Sequence, residues 1–246
     1  MKYTILANEA KVHNGVTLYR IQSLKDFSDV KAGDKGGWIE KESNLSQYGD
    51  AWIYGNAKVY DNAIVHDDAW VHDDAMVCGN AKVYDDAMVC GNAKVYDNAK
   101  VFGNAKVYGN ARVYGCAWVY GNAKVYDNAE VYGDVLVYDN AWICGNAKVY
   151  DNAIVHGDAW IYGNAKIYDN AMVCGNAIAA ESECKNWFFT KKKWRNKMTT
   201  EFNASRTFYL PVKLLQEIDE IAKSEDKSQN GLVREVLQNF VRDYEK

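Results

Sequence analysis

The chain has one proline, Pro211, in 246 residues, and no apolar run that approaches the ~20 residues of a membrane span. Its first residues, MKYTILANEAKV, lack a charged-then-apolar leader pattern, so a cytoplasmic location without membrane contact is the expectation. Six cysteines are present, but no two stand in C-x-x-C spacing, which writes neither a zinc knuckle nor a redox pair. Cys78, Cys90, Cys144 and Cys174 instead occupy a slot otherwise held by tyrosine, and read as free thiols that are small apolar surface fillers. Histidine is equally sparse, with His13, His66, His72 and His156 alone. Eighteen glycines and 48% hydrophobic residues complete the outline of an ordered protein.

What is abundant is repetition. From Ala51 to Ala177 an alanine recurs at every sixth residue in 22 unbroken hexads, with Val135 the one replacement. Val or Ile follows two residues later, then mostly Tyr, then Gly or Asp, then mostly Asn or Asp. Residues two apart in an extended strand share a side, so Ala and Val face an interior and the residue between them faces out. Gly or Asp followed by Asn bends the chain, because these residues tolerate left-handed backbone. A hexad period of this kind points to a parallel β-helix, three sides to a coil of eighteen residues.

Folding the outward residues onto three faces separates their chemistry. One face carries Trp52, Trp70, Met88, Lys106, Lys124, Trp142, Trp160 and Ile178. The second, running from Lys58 to Lys166, is basic, and the third runs from Ile64 through Trp118 to Met172. Contiguous exposed apolar groups mark an interface, so Trp52, Trp70, Trp142 and Trp160 are the expected self-association surface. Tyrosines eighteen apart, such as Tyr96, Tyr114, Tyr132, Tyr150 and Tyr168, are expected to stack. Residues 1–48 read as an N-terminal β cap with a hairpin at His13-Asn14-Gly15, and with Phe27, Val30 and Trp38 pressed onto the first coil. Charge divides along the chain. Residues 50–180 hold 9 basic and 16 acidic groups, whereas residues 185–213 hold 8 basic groups against Glu201.

The hexads resemble the hexapeptide-repeat left-handed β-helix family, and GGWIEKESNLSQYGDAWIYGNA resembles the start of an acyltransferase-like bacterial subgroup. The resemblance implies the left hand of the coil, against the usual right-handed crossover. Members of that family are often acyltransferases, which interrupt the helix with a loop and use a histidine base at a subunit interface. Here the array has no insertion, and no irregular feature fixes an acid beside any histidine. The expectation is therefore no enzyme, no catalytic residue, no metal and no cofactor, since fold does not carry activity.

After Ala177 the refrain stops. Residues 183–203 form a basic aromatic linker and plug, in which Lys191, Lys192, Lys193 and Arg195 suit phosphate contact. Residues 204–246 change period: a short alternating strand ends at Pro211, then two helical apolar stripes follow, the second opened by Ser228. The segment RTFYLPVKLLQEIDEIAKSEDKSQNGLVREVLQNFVRDY resembles the ribbon–helix–helix (β-α-α) family of Arc, MetJ and CopG-type DNA-binding proteins. The resemblance implies strand pairing between two chains and insertion of the ribbon into the major groove. It turns Ser205, Thr207 and Tyr209 toward bases, beside Arg206, and Phe208, Leu210, Leu232 and Val236 toward the dimer core. It also puts Lys227, Ser228, Gln229 and Asn230 at a phosphate. Arg206, Tyr209 and Gly231 depart from the family's pattern.

The fold expected is thus mainly β: a single-stranded parallel β-helix over residues 49–182, an N-terminal cap and a small ribbon–helix–helix tail. The function expected is an oligomeric, regulator-like protein that binds double-stranded DNA and presents the β-helix to a protein partner. One alternative is a decoy whose acidic rod occupies a nucleic-acid enzyme, with the tail used to multimerise. A hexapeptide acyltransferase is the third.

Overall fold

The computed structural model describes residues 1–180, 183–185, 187–190 and 210–211. The hexads form twenty-two strands of two or three residues, β4 to β25, beginning at Trp52–Ile53 and ending at Ile178–Ala180. Each strand pairs in parallel with the strand three hexads on, as in Lys94↔Arg112 and Met88↔Lys106. The chain is therefore a mainly β parallel solenoid with three flat sides, and its eight-stranded side contains the Trp52-to-Ile178 face intact.

The interior is filled as the two-residue spacing requires. Ala and Val side chains from Ala51 to Val173 are fully buried, and Val135 fits an alanine site without exposure. Between coils the backbone pairs up to three times per hexad. Lys58 N–H donates to the Ala75 carbonyl at 2.9 Å, Tyr60 to Val77 at 3.1 Å and Asn62 to Gly79 at 2.8 Å. Even the corners are thus bonded to the next coil, which leaves little backbone free to move.

Each corner is a tight turn with positive φ at the Gly or Asp position only. Asp61, Asp67, Asp73, Asp85, Asp97, Asp127, Asp139, Asp151 and Asp169 all sit at φ between 55° and 61°. Aspartate suits the site because its carboxylate reaches the next coil: Asp85 Oδ2 accepts from Gly103 N–H at 3.0 Å. The following Asn side chains form amide ladders, such as Asn92 to Asn110 to Asn128 to Asn146 at 3.2, 3.0 and 3.1 Å.

The upper end is closed by the N-terminal strands. β1 (Tyr3–His13) and β2 (Val16–Ser23) form an antiparallel hairpin, and β3 (Lys35–Ile39) joins it to the solenoid by pairing in parallel with Lys58–Val59. Buried Lys2 donates from Nζ to the carbonyls of Tyr48, Gly49 and Ala51 at 3.3, 3.2 and 2.8 Å. The Tyr3 hydroxyl donates to the carbonyls of Glu42 and Leu45 at 2.9 and 2.8 Å. At the lower end the coil outlasts the refrain. β26 (Glu183–Lys185) and β27 (Trp187–Thr190) extend two of the sides, with Lys166↔Glu183 and Met172↔Phe188 shortening the coil from eighteen residues to seventeen and sixteen. Trp187–Thr190 is therefore a further strand of the wall. β28 (Leu210–Pro211) lies antiparallel to it.

Candidate functional site

The outward faces are the first candidate. Trp142, Trp160 and Ile178 are 37%, 41% and 43% exposed and follow one another on the eight-stranded side. Trp118 on the third side is 39% exposed. Lys124 Nζ lies 4.4 Å above the Trp142 ring and Lys100 4.2 Å above Trp118, so the lysine stems cover part of the aromatic surface. Trp70 is half-buried against Tyr54, ring centroids 5.7 Å apart.

Trp52 does not belong to that surface. It is 1% exposed, with Phe27 and Tyr3 edge-on at 5.4 and 6.2 Å. The cap takes the first tryptophan as its own core, so the exposed aromatic patch begins farther down the rod. On the second side, Glu130 lies between Arg112 at 3.8 Å and Lys148 at 3.1 Å, which interrupts the basic stripe at its centre.

The corner rings stack in columns. Tyr96, Tyr114, Tyr132, Tyr150 and Tyr168 follow one another at 4.8, 4.8, 5.1 and 5.1 Å, nearly parallel. A second column runs His66, Tyr84, Phe102, Tyr120, Tyr138, His156, with a histidine at each end. Burial raises the hydroxyls of Tyr84, Tyr96, Tyr114, Tyr120, Tyr132, Tyr138 and Tyr150 above their ordinary value, Tyr114 to about 12. The ring faces are spent on each other, leaving edges for any ligand.

Each of these corner histidines has a carboxylate beside it, which the sequence reading missed. His66 Nδ1 is 2.8 Å from Asp67, His72 Nδ1 is 3.1 Å from Asp73, and His156 Nδ1 is 3.6 Å from Asp139. For two of them the signal was available, because Asp67 and Asp73 directly follow His66 and His72 at the corner; His156 is followed by Gly157, and Asp139 reaches it only from the preceding coil. Of the three, His72 opens onto a shallow depression of about 550 Å³ lined by Asp29, Tyr54, Trp70, Asp73 and Asp74. The Tyr54 hydroxyl donates to Asp29 Oδ1 at 2.6 Å across its upper edge.

The thiols are more enclosed than surface fillers. Cys144, Cys174 and Cys184 are buried, Cys78 and Cys90 half-buried, and Cys116 exposed. Burial raises the Cys78 and Cys90 thiols, and the Asp73 carboxylate pushes Cys90 further the same way. Neither is a ready nucleophile on its own.

Leu210 is placed by its backbone alone, against β27. The remaining tail and linker positions lie outside the described residues: Lys191, Lys192, Lys193, Arg195, Ser205, Arg206, Thr207, Phe208, Tyr209, Lys227, Ser228, Gln229, Asn230, Leu232 and Val236. Among the described residues, no helix is long and apolar enough to cross a membrane.

Comparison with known proteins agrees with the coil. A repeat family described as YdcK Beta solenoid repeat matches residues 51–67, 57–73, 105–121 and 141–157. A protein of Escherichia coli (strain K12) named "Uncharacterized acetyltransferase YdcK" is 50% identical over 38 residues. That stretch is 15% of this chain and 12% of the other protein, so the chain matches only a small part of its relative's length. Over its hexads, the chain is similar to a β-solenoid repeat found in an acetyltransferase-like protein.

Proposed function

We propose that this protein is a non-enzymatic, oligomeric binding protein, in which the solenoid is a rigid platform and the tail binds double-stranded DNA. The observation that carries the reading is the unbroken coil. Among the described residues, no loop leaves the solenoid between Ala51 and Ala180 to wall a pocket, and what it offers outward is the exposed patch of Trp142, Trp160 and Ile178. The DNA-binding part rests on the resemblance of residues 204–244 to ribbon–helix–helix proteins. A gel shift of the intact protein with duplex DNA tests it. Binding should weaken steeply as salt rises, because phosphate contacts release counterions, and Thr207→Ala with Tyr209→Ala should abolish it. Absence of any shift at low salt refutes the reading.

A second reading, acyl transfer, is favoured by the name of the Escherichia coli relative and by the carboxylate at each corner histidine. An Asp–His pair is the arrangement that orients an imidazole as a general base. Calorimetry with acetyl-CoA separates the two. Saturable binding that His72→Ala removes supports acyl transfer, and no heat of binding supports the platform.

A further inference from the structure

One column of corners departs from the regular stack in a way that gathers three different donor groups. Tyr54, His72, Cys90 and Tyr108 occupy successive coils of this corner, and the strand of His72 pairs directly with the strand of Cys90. The other corner histidines are held face to face with a ring, His66 on Tyr84 at 5.0 Å and His156 on Tyr138 at 4.8 Å. His72 has no stacked ring among the described residues; the next coil below offers it a thiol instead. Asp73 completes the group. Its backbone is fixed at φ 61° by the turn, and its Oδ2 accepts from Gly91 N–H at 3.0 Å. One donor atom each from His72, Asp73 and Cys90 all lie within 4.8 Å of one another, the one such convergence among the described residues.

We propose that His72, Asp73 and Cys90 form a site for a borderline-soft divalent cation, with Zn²⁺ the best match. Imidazole, carboxylate and thiolate are the ligand types zinc takes, at about 2.0–2.3 Å, which sets donor-to-donor separations of roughly 3.3–3.7 Å in a tetrahedron. Small rotations of the His72 and Cys90 side chains close that gap while the laddered backbone stays in place. A carboxylate has two oxygens with about four lone-pair directions, so Asp73 can keep Gly91 and still ligate. Binding releases the Cys90 thiol proton to solvent. The resulting thiolate and the Asp73 carboxylate together balance the charge of the ion.

Three protein ligands leave the fourth position facing the depression lined by Tyr54, Trp70 and Asp29. An open position of that kind holds water or a small exchangeable ligand, as in catalytic rather than closed structural zinc sites. The proposal is independent of the DNA-binding platform, and it gives the His72–Asp73 pair a different role from the general base of the acyl-transfer reading. It also revises the expectation drawn from spacing: the ligands here are brought together by the eighteen-residue coil, which no short motif reveals.

Cobalt titration of the intact, chelator-stripped protein tests the site, because Co²⁺ replaces Zn²⁺ and a cobalt–thiolate bond absorbs in the near ultraviolet. The expected result is a charge-transfer band that saturates with a single site and is bleached by added Zn²⁺. Cys90→Ser should abolish the band and His72→Phe should weaken cobalt binding by roughly 10–100-fold or more. Cys116→Ser, at the exposed thiol, should leave it intact. Cys90→Tyr, which installs the residue that this column carries at Tyr54 and Tyr108, should keep the fold by circular dichroism and lose the band. The proposal is overturned if no saturable band appears, if the band survives Cys90→Ser, or if Cys116→Ser removes it.

Discussion

Asp85 offers a sharp test of how the corners hold the coils together. Its backbone lies at φ 55°, where a side chain with a Cβ is strained, and its Oδ2 accepts from Gly103 N–H at 3.0 Å. Replacement by alanine removes the bond and leaves an ordinary residue in left-handed backbone. Losing the exposed hydrogen bond costs about 1 kcal/mol, and the left-handed alanine costs ~1 kcal/mol more. Asp85→Ala should therefore destabilise by roughly 2 kcal/mol, or about 4–8 °C in thermal midpoint for a chain of this size. Asp85→Gly loses the bond but not the backbone compatibility, so it should cost about 1 kcal/mol, with a few tenths more from the freer unfolded chain. Asp85→Asn, which keeps an oxygen acceptor and tolerates the same backbone, should be nearly neutral. Equilibrium urea unfolding of the intact protein, followed by far-ultraviolet circular dichroism, gives the order. An alanine variant as stable as the glycine variant would show that the turn conformation is not what the aspartate serves.

Three further outcomes follow from the same structure. Gly37→Ala should destabilise severely, since a Cβ there would stand 2.7 Å from the Ala57 carbonyl oxygen where β3 meets the first coil; loss of soluble folded protein on gel filtration checks it. Burial lowers Lys2 to about 8, below its unfolded value, so between about pH 8 and 10.5 the unfolded state holds more protons. The lysine's contribution to stability thus improves as pH rises through that window, and the difference in urea midpoint between wild type and Lys2→Met should shift in favour of wild type from pH 7.5 to 9.5. The tyrosine columns act in the opposite sense. Tyr96, Tyr114, Tyr132 and Tyr150 are raised, chiefly by burial, so their stabilisation is complete below pH 10 and lost as pH climbs through the folded values. Tyrosinate absorbance should rise in one steep step together with loss of the β signal; independent titration near 10 would contradict the stacked columns.

The solenoid was legible because its period does two jobs at once. Every sixth residue is Ala and its partner Val, and the eighteen-residue repeat of that pattern assigns each outward residue to a side, as Trp142 beside Trp160 and Lys94 beside Arg112 show. The same arithmetic places the tyrosine columns. It fails where contact crosses from one kind of element to another. Trp52 belongs to the outward series by number, yet the hairpin folds over it, and nothing in the hexads encodes where the cap lands. The coil also continues at Glu183 and Trp187 with shortened spacing, which a strict count of six cannot follow. The candidate site was hidden for a similar reason. His72 and Asp73 are neighbours in sequence, but Cys90 is eighteen residues away and joins them only because the coil closes.

Self-association through the exposed aromatic side tests the platform most directly. Multi-angle light scattering on the intact chain should give a multiple of 27.8 kDa, and Trp142→Ser with Trp160→Ser should reduce that mass to a smaller assembly without loss of β structure. A monomeric wild type, or an unchanged mass in the double variant, would contradict the account.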